Sequence, residues 1–190
     1  MILYVDETES DSLFIVAGLL FNSRQDAEQV FKRFKKRARN VSIAEKYRAR
    51  LFYEFKSNIL DKDFQHLKKE MLNILNEFQY QVIFGCHTKP GEFKQKDKER
   101  TYINMLTAIV TSIPNSVDVY FDGFRNQGFE NSIIKKLESL PNVRSAKPTV
   151  SETEHGIIVI DNLCSVIRRH EMNQDNAGFF TIIAHNLKMI

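Results

Sequence analysis

Two apolar runs stand close together at the start of the chain, Ile2-Leu3-Tyr4-Val5 and Leu13 to Phe21, and each is too short for a core helix with a polar face. The polar stretch Thr8-Glu9-Ser10-Asp11-Ser12 separates them, so residues 2–6 and 13–21 are expected to pair as a β-hairpin. A chain that begins with a buried hairpin must build its fold around a sheet. The longer run is nine residues, about half of what a membrane span requires.

Beyond the hairpin the period changes. Ser23 with Asp26 three residues later has the form of a capping box, and Ala27, Val30, Phe31, Phe34, Ala38 and Val41 then follow helical spacing. Leu51 to Phe55 reads as a short strand. Asp61 or Asp63 is expected to cap a second helix carrying Phe64, Leu67, Met71, Leu75 and Phe78. Strand and helix then alternate: Tyr80 to Cys86, a helix over about 97–112 stopped by Pro114, Val117 to Asp122, a helix from Phe129 to Leu140 stopped by Pro141, Asn142 to Lys147, and a helix from His155 to His170. Residues 171–177 are a polar linker, and 178–190 are expected to form a C-terminal docking helix.

Laid end to end, this is a three-strand meander followed by helix, strand, helix, strand, helix, with a mostly helical insertion over 22–78. That order is the ribonuclease H-like one: an α/β fold with a mixed sheet, antiparallel meander plus parallel strands, flanked by helices. The 190 residues are expected to form one domain, 1–190.

Composition narrows the classes. Apolar residues are 43% and charged residues 27%, ordinary for a soluble globular chain. Cys86 and Cys164 have no CxxC neighbour, so buried reduced thiols are expected. With no basic leader ahead of the first strand, the expected location is cytoplasmic and no membrane partner is indicated. The net charge of +3 permits a polyanionic partner without requiring one.

Three carboxylates share one setting. Asp6 closes the first apolar run, Asp122 closes the run Val117 to Phe121, and Asp161 falls early in the apolar segment Ile157 to Ile167. Ionised carboxylates are rarely left in apolar surroundings unless paired or bound to metal. At the ends of adjacent strands and on the last helix, they would converge on Mg²⁺ or Mn²⁺, hard ions that prefer oxygen donors. Glu99, on the helix after the third strand, is the expected fourth ligand, with Asp97 behind it. Glu7 ranks lower because alternation turns it to the face opposite Asp6. Taken one at a time, each Asp is better explained by a strand-end turn or a helix first turn; only three of them at topologically matching places point to metal.

The second feature is basic. Between Lys32 and Arg50 there are nine Lys or Arg and one acid, Glu45. A solvated helix face usually mixes signs to gain i,i+4 pairs, and this one does not. Lys32, Lys35, Lys36 and Arg39 are therefore candidate contacts to nucleic-acid phosphates. Lys56 shares a strand face with Glu54 and is expected either to pair with it or to hold a phosphate.

Tyr4-Val5-Asp6-Glu7 followed by Phe14-Ile15-Val16-Ala17-Gly18-Leu19-Leu20 resembles the opening of the domain-of-unknown-function 3800 family. Phe52 to Ser57, Val119 to Asp122 and Ile160-Asp161-Asn162-Leu163 resemble later segments of that family. The chain departs from it at Thr8-Glu9-Ser10, where Ser-Gly is usual, and at Ile158-Val159-Ile160, where Gln-Leu is usual. The resemblance implies a ribonuclease H-like fold and a metal-dependent nuclease or transposase-like activity, associated with mobile elements or phage defence. It implies site roles for Asp6, Glu7, Asp122 and Asp161. Two alternatives remain beside a two-metal phosphodiesterase: a non-catalytic nucleic-acid-binding module on the same fold, and an interaction module whose inserted and C-terminal helices join a partner or a second copy.

Overall fold

The first strand, β1 (Ile2–Glu9), is held on both sides, and its neighbours set the topology. β2 (Leu13–Phe21) folds back antiparallel to it, and β3 (Tyr80–Thr88) adds antiparallel to β2. On the other side β4 (Val117–Asp122) lies parallel to β1, and β5 (Val143–Thr149) lies parallel to β4. In the computed structural model, which describes residues 1–39, 57–150 and 153–190, the strand order is β5-β4-β1-β2-β3-β6, with β6 (Leu187–Met189) at the edge. The expected strand over Leu51 to Phe55, with Glu54 and Lys56, lies outside the described residues, as do Lys46, Arg48 and Arg50.

Alternation along β1 sends Ile2, Tyr4 and Asp6 to one face and Leu3, Val5 and Glu7 to the other. The first face is covered by α1 (Arg24–Ala38), α3 (Gln65–Leu75) and α6 (His155–Glu171); the second by α4 (Gln95–Thr111) and α5 (Gln127–Glu138). The parallel strands are thus joined by crossover helices, as parallel pairing requires. At the start of α6 the helix lies directly on Tyr4: a Cβ added at Gly156 would stand 2.3 Å from its ring. Only glycine permits that approach.

Ser23 forms the expected capping box with Asp26, each side chain accepting from the other's backbone N–H. The expected cap from Asp61 or Asp63 does not form. Phe64 occupies the N-cap of α3 without a side-chain cap, and Asp61 is drawn away by a stronger demand. Asp61 sits on α2 (Ser57–Asp63), where it accepts from the ammonium of Lys68, a side chain with no exposed surface, and from the hydroxyl of Ser165 on α6. The Arg169 guanidinium approaches the same carboxylate at 3.7 Å. A buried ammonium costs far more to leave unpaired than a helix end left to water.

The expected C-terminal helix over 178–190 is also revised. Phe179–Ile183 makes a short helix, α7; a single 3₁₀ turn follows at Ala184–Asn186; and Leu187–Met189 becomes β6. β6 pairs parallel with Val82 to Phe84, so backbone groups on the outer edge of β3 are satisfied by the chain itself. The two cysteines are free thiols, Cys164 buried and Cys86 half-buried. None of the described helices is long and apolar enough to cross a membrane.

Replacing Asp61 with Ala strands the Lys68 charge in the core and is expected to cost about 3–5 kcal/mol. Urea unfolding measures it, and combining Asp61→Leu with Lys68→Met is expected to recover most of the loss.

Candidate functional site

β1 and β4 are in parallel register up to Val5 opposite Phe121, so Asp6 and Asp122 come next on strands about 4.8 Å apart. Both lie on the face of Tyr4 and Tyr120, whose rings are 5.7 Å apart. α6 crosses that face and brings Asp161. The contact is fixed by Cys164 one turn further on, whose thiol donates to the Asp6 carbonyl at 3.5 Å. Asp122 and Asp161, both more than a hundred residues from Asp6 in sequence, are thereby brought close enough for their charges to act on it.

Their electrostatics show the crowding. Burial holds the Asp6 carboxyl well above the ordinary carboxylate range, and the charges of Glu7, Asp161 and Asp122 push it higher. The Glu7 amide, donating to Asp6 Oδ1 at 2.8 Å, offsets part of this. Glu7 is pushed up to about 7, chiefly by burial; Lys98 acts against that rise, while Asp122 and Glu9 add to it. Although Glu7 belongs to the opposite face, it therefore lies within the field of the same cluster.

Asp161 is engaged from a further direction. Its Oδ2 accepts from the Ser57 amide at 2.9 Å and its Oδ1 from the Ser57 hydroxyl at 3.1 Å. Ser57 opens α2, which the hydrogen bond from Ser165 to Asp61 pins to α6, and the charge of Asp161 also acts on Lys68.

α4 presents a different residue from the one expected. Lys98, rather than Glu99, acts on Glu7, and it also reaches Glu9 at 3.5 Å. Lys98 shares a helix face with buried Tyr102 four residues on, whereas Glu99 is turned about 100° away and accepts from Gln95 at 3.1 Å. Asp97 pairs with Arg100 at 3.1 Å.

The donor set, all carboxylate oxygen, has the chemistry that a hard divalent cation takes. In their present rotamers, however, no three acidic, His or Cys side chains among the described residues close around one point. A cleft of about 370 Å³ lies past Asp122 and is lined by Gly123, Phe124, Arg125, Glu130 and the end of β5 at Pro148 to Val150, with none of the clustered acids on its wall. Behind it the Phe124 amide donates to Glu130 Oε1 at 2.6 Å, which braces the turn after Asp122. A larger cleft of about 450 Å³ lies along the other flank of α4, near Gly85, His87 and Asn104, and none of the clustered acids lines it.

On α1, Lys36 is exposed, as is Arg39 at its C-cap, and Lys35 is half-buried with its ammonium 5.8 Å from the Phe31 ring. Lys32 pairs with Glu28 at 3.3 Å, so the basic face is not wholly one-signed. Lys32 and Lys35 both act on His155 at the start of α6, about two turns from Asp161. Sequence reasoning did not single out Lys68 or Tyr102, and it named Asp61 only as a helix cap and Ser57 only as the end of a family-like segment. Lys68 carried a signal, since it interrupts the apolar stripe of Phe64, Leu67 and Met71.

No protein-family model matches the chain, and no curated protein matches it. Among solved structures, the chain resembles the ribonuclease HII of a PCNA:RNase HII complex from Archaeoglobus fulgidus, with a TM-score of 0.55, 12% identity, and 94% of this chain and 77% of that chain covered. It resembles ribonuclease H2 from Pyrococcus horikoshii OT3 equally, with a TM-score of 0.55, 12% identity, and coverage of 94% and 78%. With its mixed sheet and flanking helices, the chain has an α/β ribonuclease H-like fold.

Without metal the carboxylates repel one another, so Asp6→Asn, which keeps the acceptor for the Glu7 amide, is expected to raise the melting temperature. The gain is roughly 2–4 °C for each kcal/mol of repulsion relieved. The native protein has a related pH dependence. Glu7 ionises near its ordinary 4.5 when unfolded and about 7 when folded, so its contribution is fully present below 4.5 and is lost as pH rises through 7. Melting curves of Asp6→Asn and native protein at pH 5 and pH 8 are expected to differ more at pH 8.

Proposed function

We propose that the chain is a metal-dependent nuclease of the ribonuclease H-like type, hydrolysing phosphodiester bonds in nucleic acid. The observation that carries this reading is the buried Asp6 carboxyl on a central strand, in the combined field of Glu7, Asp122 and Asp161. Such a concentration of mutually repelling acids is costly to fold, and a divalent cation would neutralise it. Mg²⁺ or Mn²⁺ held there would supply an activated water and stabilise the leaving oxygen. The ribonuclease identity of the structural neighbours supports the reading at the level of fold.

The residues have distinct parts in it. Asp6 and Asp122, on adjacent parallel strands, would hold the cation, and Asp161 on α6, whose two oxygens now accept from Ser57, would be the third oxygen donor. Glu7 supports the site from below and Glu99 takes no part. Lys36 and Arg39 on α1, with Lys32 and Lys35, would seat the phosphate backbone by sequence-independent attraction that weakens with salt. The cleft beside Asp122, with Arg125 on its wall, would receive the strand at the scissile bond.

The engagement of both Asp161 oxygens by Ser57 favours one alternative, a nucleic-acid-binding module that keeps the fold and has given up cleavage. The two readings part in a Mn²⁺ titration followed by thermal unfolding and a cleavage assay on DNA, RNA and hybrid substrates. For the nuclease, Mn²⁺ stabilises the native protein saturably, by about 2.7 kcal/mol at a hundred times the dissociation constant. Asp122→Asn is expected to abolish both the shift and cleavage. Salt-dependent nucleic-acid binding with no Mn²⁺ response and no cleavage would overturn the nuclease and establish the binding module.

A further inference from the structure

Tyr102 is 1% exposed, and its hydroxyl finds no hydrogen-bond partner among the described residues. Leaving a buried hydroxyl unpaired forfeits its solvation with nothing in return, so a native fold rarely does so without a reason. The ring cannot swing out to solvent. It packs edge-on against Phe124 at 5.1 Å and Phe129 at 5.8 Å, within the cluster that contains Val5 and Phe121.

Those neighbours place it. Val5 and Phe121 immediately precede Asp6 and Asp122, and Phe124 follows Asp122 by two residues. Glu7, on the same sheet face as Val5, is the charge that acts on Tyr102 most, ahead of Asp6 and Asp122. A fixed buried donor without an acceptor therefore stands beneath the acidic cluster, on the side from which Glu7 enters.

We propose that Tyr102 is a positioning residue for the carboxylate site: when a divalent cation binds, its hydroxyl donates to Glu7 and holds that side chain in place beneath Asp6 and Asp122. The inference rests on the metal-site reading above. Donation to Glu7 would give the Tyr102 hydroxyl the partner it lacks among the described residues. Placing the donor on a rigid aromatic ring, rather than a flexible side chain, lowers the entropy lost in fixing Glu7.

Calorimetric Mn²⁺ titrations of the native protein, Asp6→Asn, Tyr102→Phe, Glu7→Gln and the Tyr102→Phe/Glu7→Gln pair test this, alongside melting curves without metal. Tyr102→Phe is expected to melt no lower than the native protein without metal, because it deletes an unpaired hydroxyl. It is expected to bind Mn²⁺ about tenfold more weakly, the size of a hydrogen bond to a charged group. In the Glu7→Gln background the same change is expected to add little further loss. A purely structural role would lower the metal-free melting temperature and leave Mn²⁺ affinity unchanged, and that result overturns the proposal. So does a tenfold loss that persists undiminished in the Glu7→Gln background. Should Tyr102→Phe bind like the native protein while Asp6→Asn does not bind, the carboxylate site stands and the Tyr102 role falls. Absence of saturable binding by the native protein, or native affinity in Asp6→Asn, removes the metal-site reading and this role with it.

Discussion

The burial of one carboxyl, Asp6, organises this protein. It lies on the strand from which the sheet grows in both directions, beneath α6, in a position where an ionised group is strongly disfavoured. Apolar packing on Ile2, Tyr4 and their neighbours forces the strand into the interior, and Asp6 travels with it. The same strand fixes the rest of the site: β4 must lie parallel beside it to bring Asp122, and α6 must close on it to bring Asp161. Gly156, pressed on the Tyr4 ring, allows α6 to approach that closely.

The cost of that arrangement is offset elsewhere. Hydrophobic clusters on both faces of the sheet supply the favourable burial, and the Asp61–Lys68–Ser165 network ties α2 and α3 to α6. That network lies next to the acidic cluster, since Asp161 accepts both of its hydrogen bonds from the residue that opens α2. Stability and the site's geometry are thus coupled through one helix.

Much of the fold was legible in the chain because period and punctuation agree along it. The nine-residue apolar run at Leu13–Phe21, the capping box at Ser23, and the prolines at 114 and 141 each report a local backbone preference that tertiary packing did not overrule. The C-terminus was misread because Phe179 to Ile190 is apolar enough for either structure. The open edge of β3, formed a hundred residues earlier, made its last residues a strand. Asp61 was misassigned as a helix cap because nothing local announces that Lys68 is sealed in the core. Glu99 was preferred to its neighbours by residue type, whereas the rotation of α4 presents Lys98 and Tyr102 to the sheet.

The sequence by itself determined that this chain forms a sheet with helices on both faces, and that Asp6, Asp122 and Asp161 end or interrupt apolar segments. Those are properties of short windows, set by side-chain period and by the cost of burying charge. The tertiary structure alone decided that the charges of Asp122 and Asp161 reach Asp6, that Glu7 feels the same field from the opposite face, that Ser57 binds Asp161, and that Tyr102 lies within reach of these charges. These follow from strand register and helix rotation, which depend on packing between residues a hundred positions apart and leave no local trace.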